Sequence, residues 1–476
     1  MVLIDKTSPR RDVNLQVMDI HDGNLMQWEA GGRYYWYGLG YQNCTLSRIY
    51  MPPQYCPGVF QPFGEGCGFR DDHVLHVYSS ADLVQWRHEG DALPFATRPR
   101  GIYFRPKVVF DKRTSEYVLW INYLRQEGST WPLNTPVRSY QNNISAVVAK
   151  STSPVGPFRI VNPWARLQVD FIGDFALLVD PNDPDHAAYI AYDAWNNGHR
   201  VRIERLNDDW TASAALLDPS LSTGDLTDAD VEAPILFERK GHYYLIYGST
   251  CCFCAEGGSA EVQVASHPLG PWSRTGVDLN AWGAGPAGAC GRPVPSQNNF
   301  VATVPTRSGE IAYLFMGDLW TSAPDGLKSH DLQYWAPLSF DDTKVPPAIR
   351  PLEWMDGFDI DVPSAQPGAS APGVASDGPF RPGSGLLQIR ANQASCSHSG
   401  TFEAWLLTLI LAAFAALLLA CCWVCRAACR ARGGGGGSTP GCSASCCGGG
   451  EHHHQDLDLR RRLSPRGEQA DMKGLL

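Results

Sequence analysis

Asp230-Val231-Glu232-Ala233-Pro234-Ile235-Leu236-Phe237, followed after a short turn by His242-Tyr243-Tyr244-Leu245-Ile246-Tyr247, sets the pattern of this chain. Charged residues lead into a short apolar run, a turn, and then an aromatic-rich run that reads as a second strand. The pattern recurs upstream. Phe104-Arg105-Pro106-Lys107-Val108-Val109-Phe110-Asp111 leads into Tyr117-Val118-Leu119-Trp120, and Ile172-Gly173-Asp174-Phe175-Ala176-Leu177 leads into Ala188-Tyr189-Ile190-Ala191-Tyr192. The earliest copy is His21-Asp22-Gly23-Asn24-Leu25-Met26-Gln27-Trp28, then the turn at Gly31-Gly32, then Tyr34-Tyr35-Trp36-Tyr37.

A second phrase recurs between these copies. Val77 to Trp86, Val148 to Phe158 and Val264 to Trp272 each read as a strand, a turn and an aromatic that closes the outer edge of a sheet. No segment before about residue 400 sustains a helical period. Repeated short strands at this spacing predict an all-β repeat fold. Over residues 14–355, units of about 65 residues predict a five-bladed β-propeller, and the loops nearest its axis then converge. That geometry would gather Asp22, Asp174 and Glu232 at one end of the channel, whereas a large β-sandwich would scatter them.

Composition is consistent with one large β domain. Of 476 residues, 11% are aromatic and 18% charged. The formal charge of −10, with no basic patch in the propeller, excludes nucleic acid as a partner. No glycine-rich phosphate loop is present, and the reading expects no cofactor and no metal. A zinc site at Cys251, Cys252 and Cys254 is the weaker alternative to loop disulfides.

At these residues the sequence resembles glycoside hydrolase family 43, and most closely its exo-β-1,3-galactanase-like subgroup. The resemblance covers about residues 14 to 355. It is carried by His21-Asp22-Gly23 before Tyr34-Tyr35-Trp36, Arg105-Pro106-Lys107-Val108, Asp174-Phe175, Glu232-Ala233-Pro234, Ser296-Gln297 and Tyr334-Trp335-Ala336-Pro337-Leu338. It implies a five-bladed propeller and inverting hydrolysis of O-glycosidic bonds, in which a water fits between base and anomeric carbon when the two carboxyls stand about 6.5–9.5 Å apart. Glu232 matches the general acid, with its pKa raised by burial and a neighbouring negative charge. Asp174 matches the carboxylate that tunes the acid. For the base two candidates stand, Asp22 and the water-holding Gln297. Galactanase-like members carry a Glu before Arg-Pro-Lys, where this chain has Phe104, so a galactan substrate does not follow from the resemblance.

The aromatics Trp36, Tyr123, Trp195 and Trp320 are candidates to stack on sugar faces, as rings with a flat apolar surface. His21 and Arg105 are candidates to contact sugar hydroxyls. The expected substrate is a poly- or oligosaccharide of wall or arabinogalactan type, with β-galactan, arabinan or xylan side chains. From a different class, the alternative is a propeller that binds or scaffolds carbohydrate without cleaving it.

Cys44, Cys56 and Cys67, and Cys251, Cys252, Cys254 and Cys290, read as loop disulfides of an oxidising compartment, with the pairing left open. Asn43-Cys44-Thr45 and Asn143-Ile144-Ser145 are candidate glycosylation sites. Residues 356–400 are rich in Pro, Gly and Ser and read as a linker. Residues 404–424 form an apolar run that at about 1.5 Å per residue spans the roughly 30 Å of a bilayer core, predicting a transmembrane helix and a lipid partner. Arg426, Arg430 and Arg432 follow it, which places residues 426–476, expected to be disordered, in the cytosol and the propeller outside or in a lumen. Cys421, Cys422, Cys425 and Cys429 are candidates for palmitoylation, and Ser464 for phosphorylation. Met1 to Leu15 lack the apolar core of a signal peptide, and the reading expects a start missing upstream.

Overall fold

The structure, a computed structural model, describes residues 1–42, 44, 72–125, 144–195, 198–250, 257–281, 293–363 and 391–392. Five antiparallel sheets follow one another along the chain, as the repeat predicts. Blade I holds β2 (His21–Gln27), β3 (Tyr34–Leu39), β4 (Leu75–Ser80) and β5 (Trp86–Asp91). Blade II holds β6 (Gly101–Asp111), β7 (Glu116–Arg125), β8 (Ile144–Ser151) and β9 (Arg159–Ala165). Blade III is built from β10 (Ile172–Val179), β11 (Ala188–Ala194) and β12 (Arg200–Arg205). Blade IV comprises β13 (Val231–Arg239), β14 (His242–Ser249), β15 (Glu261–Ala265) and β16 (Ser273–Asp278). Blade V comprises β17 (Gln297–Pro305), β18 (Ile311–Leu319) and β19 (Leu332–Pro337).

The strands alternate their side chains between two neighbouring blades, as a period of two requires. On β7, Tyr117, Leu119, Ile121 and Tyr123 pack toward blade I, while Val118 and Trp120 pack toward blade III. Among the described residues the buried apolar side chains fall into five clusters, one at each junction: I with II, II with III, III with IV, IV with V, and V with I. The fifth junction closes the ring. Most of the Trp and Tyr therefore fill the spaces between blades, which a sandwich would not offer.

A further sheet joins the two ends of the propeller. β1 (Val2–Asp5) pairs antiparallel with β22 (Gly357–Ile360), beside β23 (Ala391–Asn392), and Ile4, Phe358 and Ile360 are buried in the V–I junction. Two short strands, β20 (Phe340–Asp341) and β21 (Ala348–Ile349), precede it. Gly357–Ile360 thus belongs to the folded unit, although its Gly and Asp content reads as the start of a linker. The chain divides into two compact units, residues 1–395 and 396–476. The described residues contain no helix long and apolar enough to cross a membrane. The expected transmembrane run 404–424, the tail, the sequons at Asn43 and Asn143 and every cysteine named above except Cys44 lie outside the described residues.

Candidate active site

Each innermost strand of blades I to IV carries a β-bulge near its start. Asp22-Gly23 stand opposite Gly38, Arg105-Pro106 opposite Ile121, Gly173-Asp174 opposite Asp193, and Ala233-Pro234 opposite Tyr247. On β17 the register also shifts, leaving Asn299 unpaired between Asn298 and Phe300. A bulge bends its strand and re-aims the side chains around it. The prolines belong to this device, since a bulge is one of the few places in a sheet that tolerates a residue without an N–H. Asp22, Arg105 and Ala233 take positive φ of 62°, 53° and 54°, a conformation that turns the chain sharply. Glu232 therefore lies within β13, as its second residue, and not in one of the loops expected to converge on the axis. Pro234, two residues further on, marks the bulge.

The re-aimed groups meet. Arg105 Nη2 contacts Asp174 Oδ2 at 2.9 Å, and its Nε contacts Asp22 Oδ1 at 3.3 Å. Its Nη1 donates to the Asn298 carbonyl at 2.8 Å, so one buried guanidinium ties blades I, III and V to blade II. Tyr41 donates its hydroxyl to Asp22 Oδ2 at 3.3 Å. Burial pushes the Asp22 carboxyl above the usual carboxylate range, against the pull of Arg105, with Asp318 and Asp174 adding to the rise. Lys107, also buried, spends its three donors on the Asp22 and Gly23 carbonyls and Asn299 Oδ1, at 2.6, 3.0 and 2.7 Å. Burial, then the neighbouring Arg105 charge, lowers it to about 7.

Glu232, 4% exposed, accepts a hydrogen bond from Gln297 Nε2 at 2.7 Å. Trp320 Nε1 donates to Gln297 Oε1 at 2.8 Å. An indole N–H is a donor only, so this bond fixes which end of the amide is oxygen and aims the Gln297 NH₂ at Glu232. Gln297 and Glu232 are thus in direct contact through Oε1, a bond that fixes how the carboxyl is oriented. Lys328 Nζ lies 3.8 Å from the centre of the Trp320 ring and holds the indole from behind.

On the other side of Glu232 stand two residues that the sequence reading does not single out. Asp193, at the end of β11, accepts from Trp195 Nε1 at 2.6 Å and from His199 Nδ1 at 2.8 Å on the same oxygen, Oδ2. Its Oδ1 is buried without a hydrogen-bond partner. Asp193, His199 and Glu232 offer ligand-type atoms within 4.8 Å of one another, a nitrogen and two carboxylate oxygens, donors of the kind that hold zinc. The imidazole is engaged with Asp193. Burial raises Asp193 to about 6, while His199 opposes the rise. For His199, burial works against the charge, but Asp193, Glu232 and Asp230 overcome it and raise the imidazole to about 9. Tyr192-Asp193-Ala194, an acid closing an otherwise buried apolar strand, was the signal available for Asp193.

The structure brings Asp22, Asp174, Arg105, Glu232 and Gln297 to one end of the channel, with Trp195 beside them. It places others elsewhere. Trp36, 1% exposed, is sealed in the V–I junction against Trp86 and Trp335, at ring distances of 5.5 and 4.8 Å, and has no face for a sugar. Tyr123 is stacked on Tyr103 and donates its hydroxyl to the Arg100 carbonyl at 2.9 Å, within the I–II core. His21 has a fully buried side chain, its ring between Asp318 at 3.5 Å and Asp19 at 3.8 Å, so it supports the site from behind. Burial opposes its charge and Asp318 raises its pKa. Trp320 is 2% exposed and acts on Gln297, not as a stacking face. In each case the sequence shows the residue type but not the side of the strand that faces the axis.

The axial bulges of this propeller thus gather a buried acid, a carboxylate pair and a guanidinium at one place. Residues 67–279 match the family model described as Glycosyl hydrolases family 43, a span that includes Arg105, Asp174 and Glu232. This part of the chain is thus similar to glycosyl hydrolases family 43, and the match supports glycosidase activity. Two solved structures are similar in fold. The exo-β-1,3-galactanase from Phanerochaete chrysosporium, a Glu→Gln variant with β-1,3-galactotriose, is 21% identical with a TM-score of 0.55, over 77% of this chain and 70% of that one. The exo-β-1,3-galactanase from Clostridium thermocellum is 23% identical with a TM-score of 0.56, over 76% and 68%. A search of curated proteins found no match to the chain.

Proposed function

We propose that this chain is a membrane-anchored glycosidase that inverts the anomeric centre of O-glycosides in wall polysaccharide or arabinogalactan-type glycans, with β-galactan, arabinan or xylan side chains as the substrate class. The observation that carries the reading is Glu232, a nearly buried acid aimed into the axial end of the propeller beside the Arg105–Asp174–Asp22 array. Glu232 protonates the leaving oxygen. Asp174, paired with Arg105, sets the field in which that proton is held. The likeness to galactanases supports a β-1,3-galactan among the substrates, and Phe104 in place of the subgroup's Glu widens the choice to arabinosides and xylosides. Retention of Glu232 and Asp174 around one guanidinium favours catalysis over a propeller that only binds carbohydrate.

The base is Asp22 or a water held by Gln297. Gln297 offers Glu232 its NH₂ while Trp320 occupies its carbonyl oxygen, which favours Asp22 as the group that receives the water's proton. Anchoring rests on the apolar run 404–424 and the arginines after it, and the propeller is placed outside the cell or in a lumen. Cys44, which is disulfide-bonded, supports an oxidising compartment.

The test is turnover on aryl galactosides, arabinosides and xylosides and on arabinogalactan and β-1,3-galactan. Glu232→Gln lowers turnover by about 10²–10⁴-fold on substrates with poor leaving groups. The loss shrinks on activated aryl glycosides, whose leaving groups need little protonation. Asp22→Asn costs as much as Glu232→Gln if Asp22 is the base, and less if Gln297 holds the water. Equal activity of wild type and Glu232→Gln on every substrate would remove the enzyme and leave a binding propeller.

A further inference from the structure

A cavity of about 250 Å³ opens between blades I and II at the end of the propeller away from the bulges. Its place follows from strand direction. β2 starts at the bulge of Asp22 and ends at Gln27, so the β2–β3 turn, which supplies Trp28, Glu29 and Arg33, lies at the far end of the axis. Tyr35, Glu89 and Tyr117 complete the walls with the Ser153–Val155 turn.

Three aromatic side chains thus meet three charged ones. Trp28 is partly exposed and braced by Tyr117 at 5.3 Å between ring centres and by a hydrogen bond from its Nε1 to the Tyr37 hydroxyl at 3.3 Å. The indole is therefore held in place with part of its surface open. Arg33 Nε donates to Ser79 Oγ at 3.1 Å, and Ser79 Oγ donates to Glu89 Oε1 at 2.5 Å. This chain fixes a guanidinium and a carboxylate side by side. The pair presents donors next to acceptors, which suits two adjacent hydroxyl groups that each give and accept a hydrogen bond. Burial raises the Tyr35 hydroxyl pKa, with Arg33 opposing and Glu89 and Glu29 adding, so the hydroxyl is a neutral group among those charges.

We infer that this cavity is a second carbohydrate site, which holds one sugar unit of the polymer while the axial site cleaves another. An aromatic wall beside a fixed guanidinium–carboxylate pair is the chemistry of a pyranose or furanose, whose C–H face is apolar and whose rim carries vicinal hydroxyls. A cation would find Arg33 in its way, and an anion would meet Glu29 and Glu89. Ligand pockets run to about 300–1,000 Å³, so this one takes a single unit and not a chain segment. The class of ligand, a neutral unit of a wall or arabinogalactan glycan, rests on the function proposed above.

Calorimetric titration of the full chain tests it. Glu232→Gln slows turnover by about 10²–10⁴-fold, and galactose-, arabinose- and xylose-based oligosaccharides serve as probes. Two sites per chain are expected for one of the three probes. Adding Arg33→Ala, at the exposed rim, or Glu89→Gln, half-buried beside it, weakens one site about tenfold or more and leaves the other unchanged, the loss expected for a hydrogen bond to a charged group. In the otherwise native chain the same two substitutions leave kcat/KM on small aryl glycosides unaltered and lower it on polymer. A single site in the parent for all three probes, or two sites unaffected by both substitutions, overturns the inference. Failure of the proposed activity is read separately, from aryl glycoside hydrolysis that is absent or insensitive to Glu232→Gln.

Discussion

At the scale of single residues, the site is a set of orientations imposed by groups that do no chemistry themselves. Gln297 has its amide direction set by the Trp320 indole, and His199 has one ring nitrogen taken by Asp193. The second case carries a pH dependence. The folded pKa of His199, about 9, is above the unfolded value near 6.5, so its charge favours the folded state. That contribution is whole below about pH 6.5 and is lost as pH rises through 9. The difference in melting temperature between wild type and His199→Asn is therefore expected to narrow steadily from pH 6.5 to 9.5. A difference that stays constant across this range would mean that the imidazole is neutral in the folded protein. Asp193 left only a faint sequence signal and His199 none, because pairing across the Gly173-Asp174 bulge is what carries Asp193 to Glu232.

At the scale of the element, the bulge is the device that turns a blade into a site. Without it, residues i and i+2 share a face and the next side chain points into the neighbouring junction. With it, Asp22 and Arg105 leave the pleat and face each other. Gly23 shows how little room the first bulge leaves. A Cβ built there would stand 1.5 Å from the Tyr37 carbonyl oxygen, within the strand that pairs with β2. Gly23→Ala is expected to cost at least about 3 kcal/mol of stability, because the obstacle is backbone and cannot rotate away. Urea unfolding of the full chain measures it. A change within about 1 kcal/mol, with activity intact, would show that β2 can slide against β3 and that the bulge does not fix Asp22. The Pro residues at 106 and 234 announced these bulges in the sequence, yet alone they read as loops, since a proline breaks a ladder in either setting.

At the scale of the whole molecule, five junction cores close a ring whose ends are joined by β1 and β22. That closure was only partly legible. The strand grammar counts blades, but Val2–Asp5 carries no turn or repeat signal and finds its partner more than 350 residues away, at Gly357–Ile360. The proposed membrane topology also belongs to this scale. Protease added to intact cells, or to sealed vesicles of known orientation, is expected to reach the propeller and leave the Arg460 region protected. Cleavage of both from the same face would mean that the apolar run does not cross the bilayer, and the glycosidase would then need another route to its polymer.

The amino-acid sequence by itself determined the all-β class, the repeats and the family resemblance, because these depend on period, turn chemistry and residue order along the chain. It also pointed to Glu232, Asp174, Asp22, Arg105 and Gln297, through local motifs that recur at the start of each repeat. The tertiary structure decided which of the aromatics face the axis and which are buried between blades. Trp36 and Trp195 read alike in sequence, and one is sealed against Trp86 and Trp335 while the other binds Asp193. Which face a side chain takes depends on strand register and on a one-residue bulge, and a shift of one position sends every side chain to the opposite side. Register is settled by the partner strands and by the closure of the ring, so no stretch of the chain contains it alone.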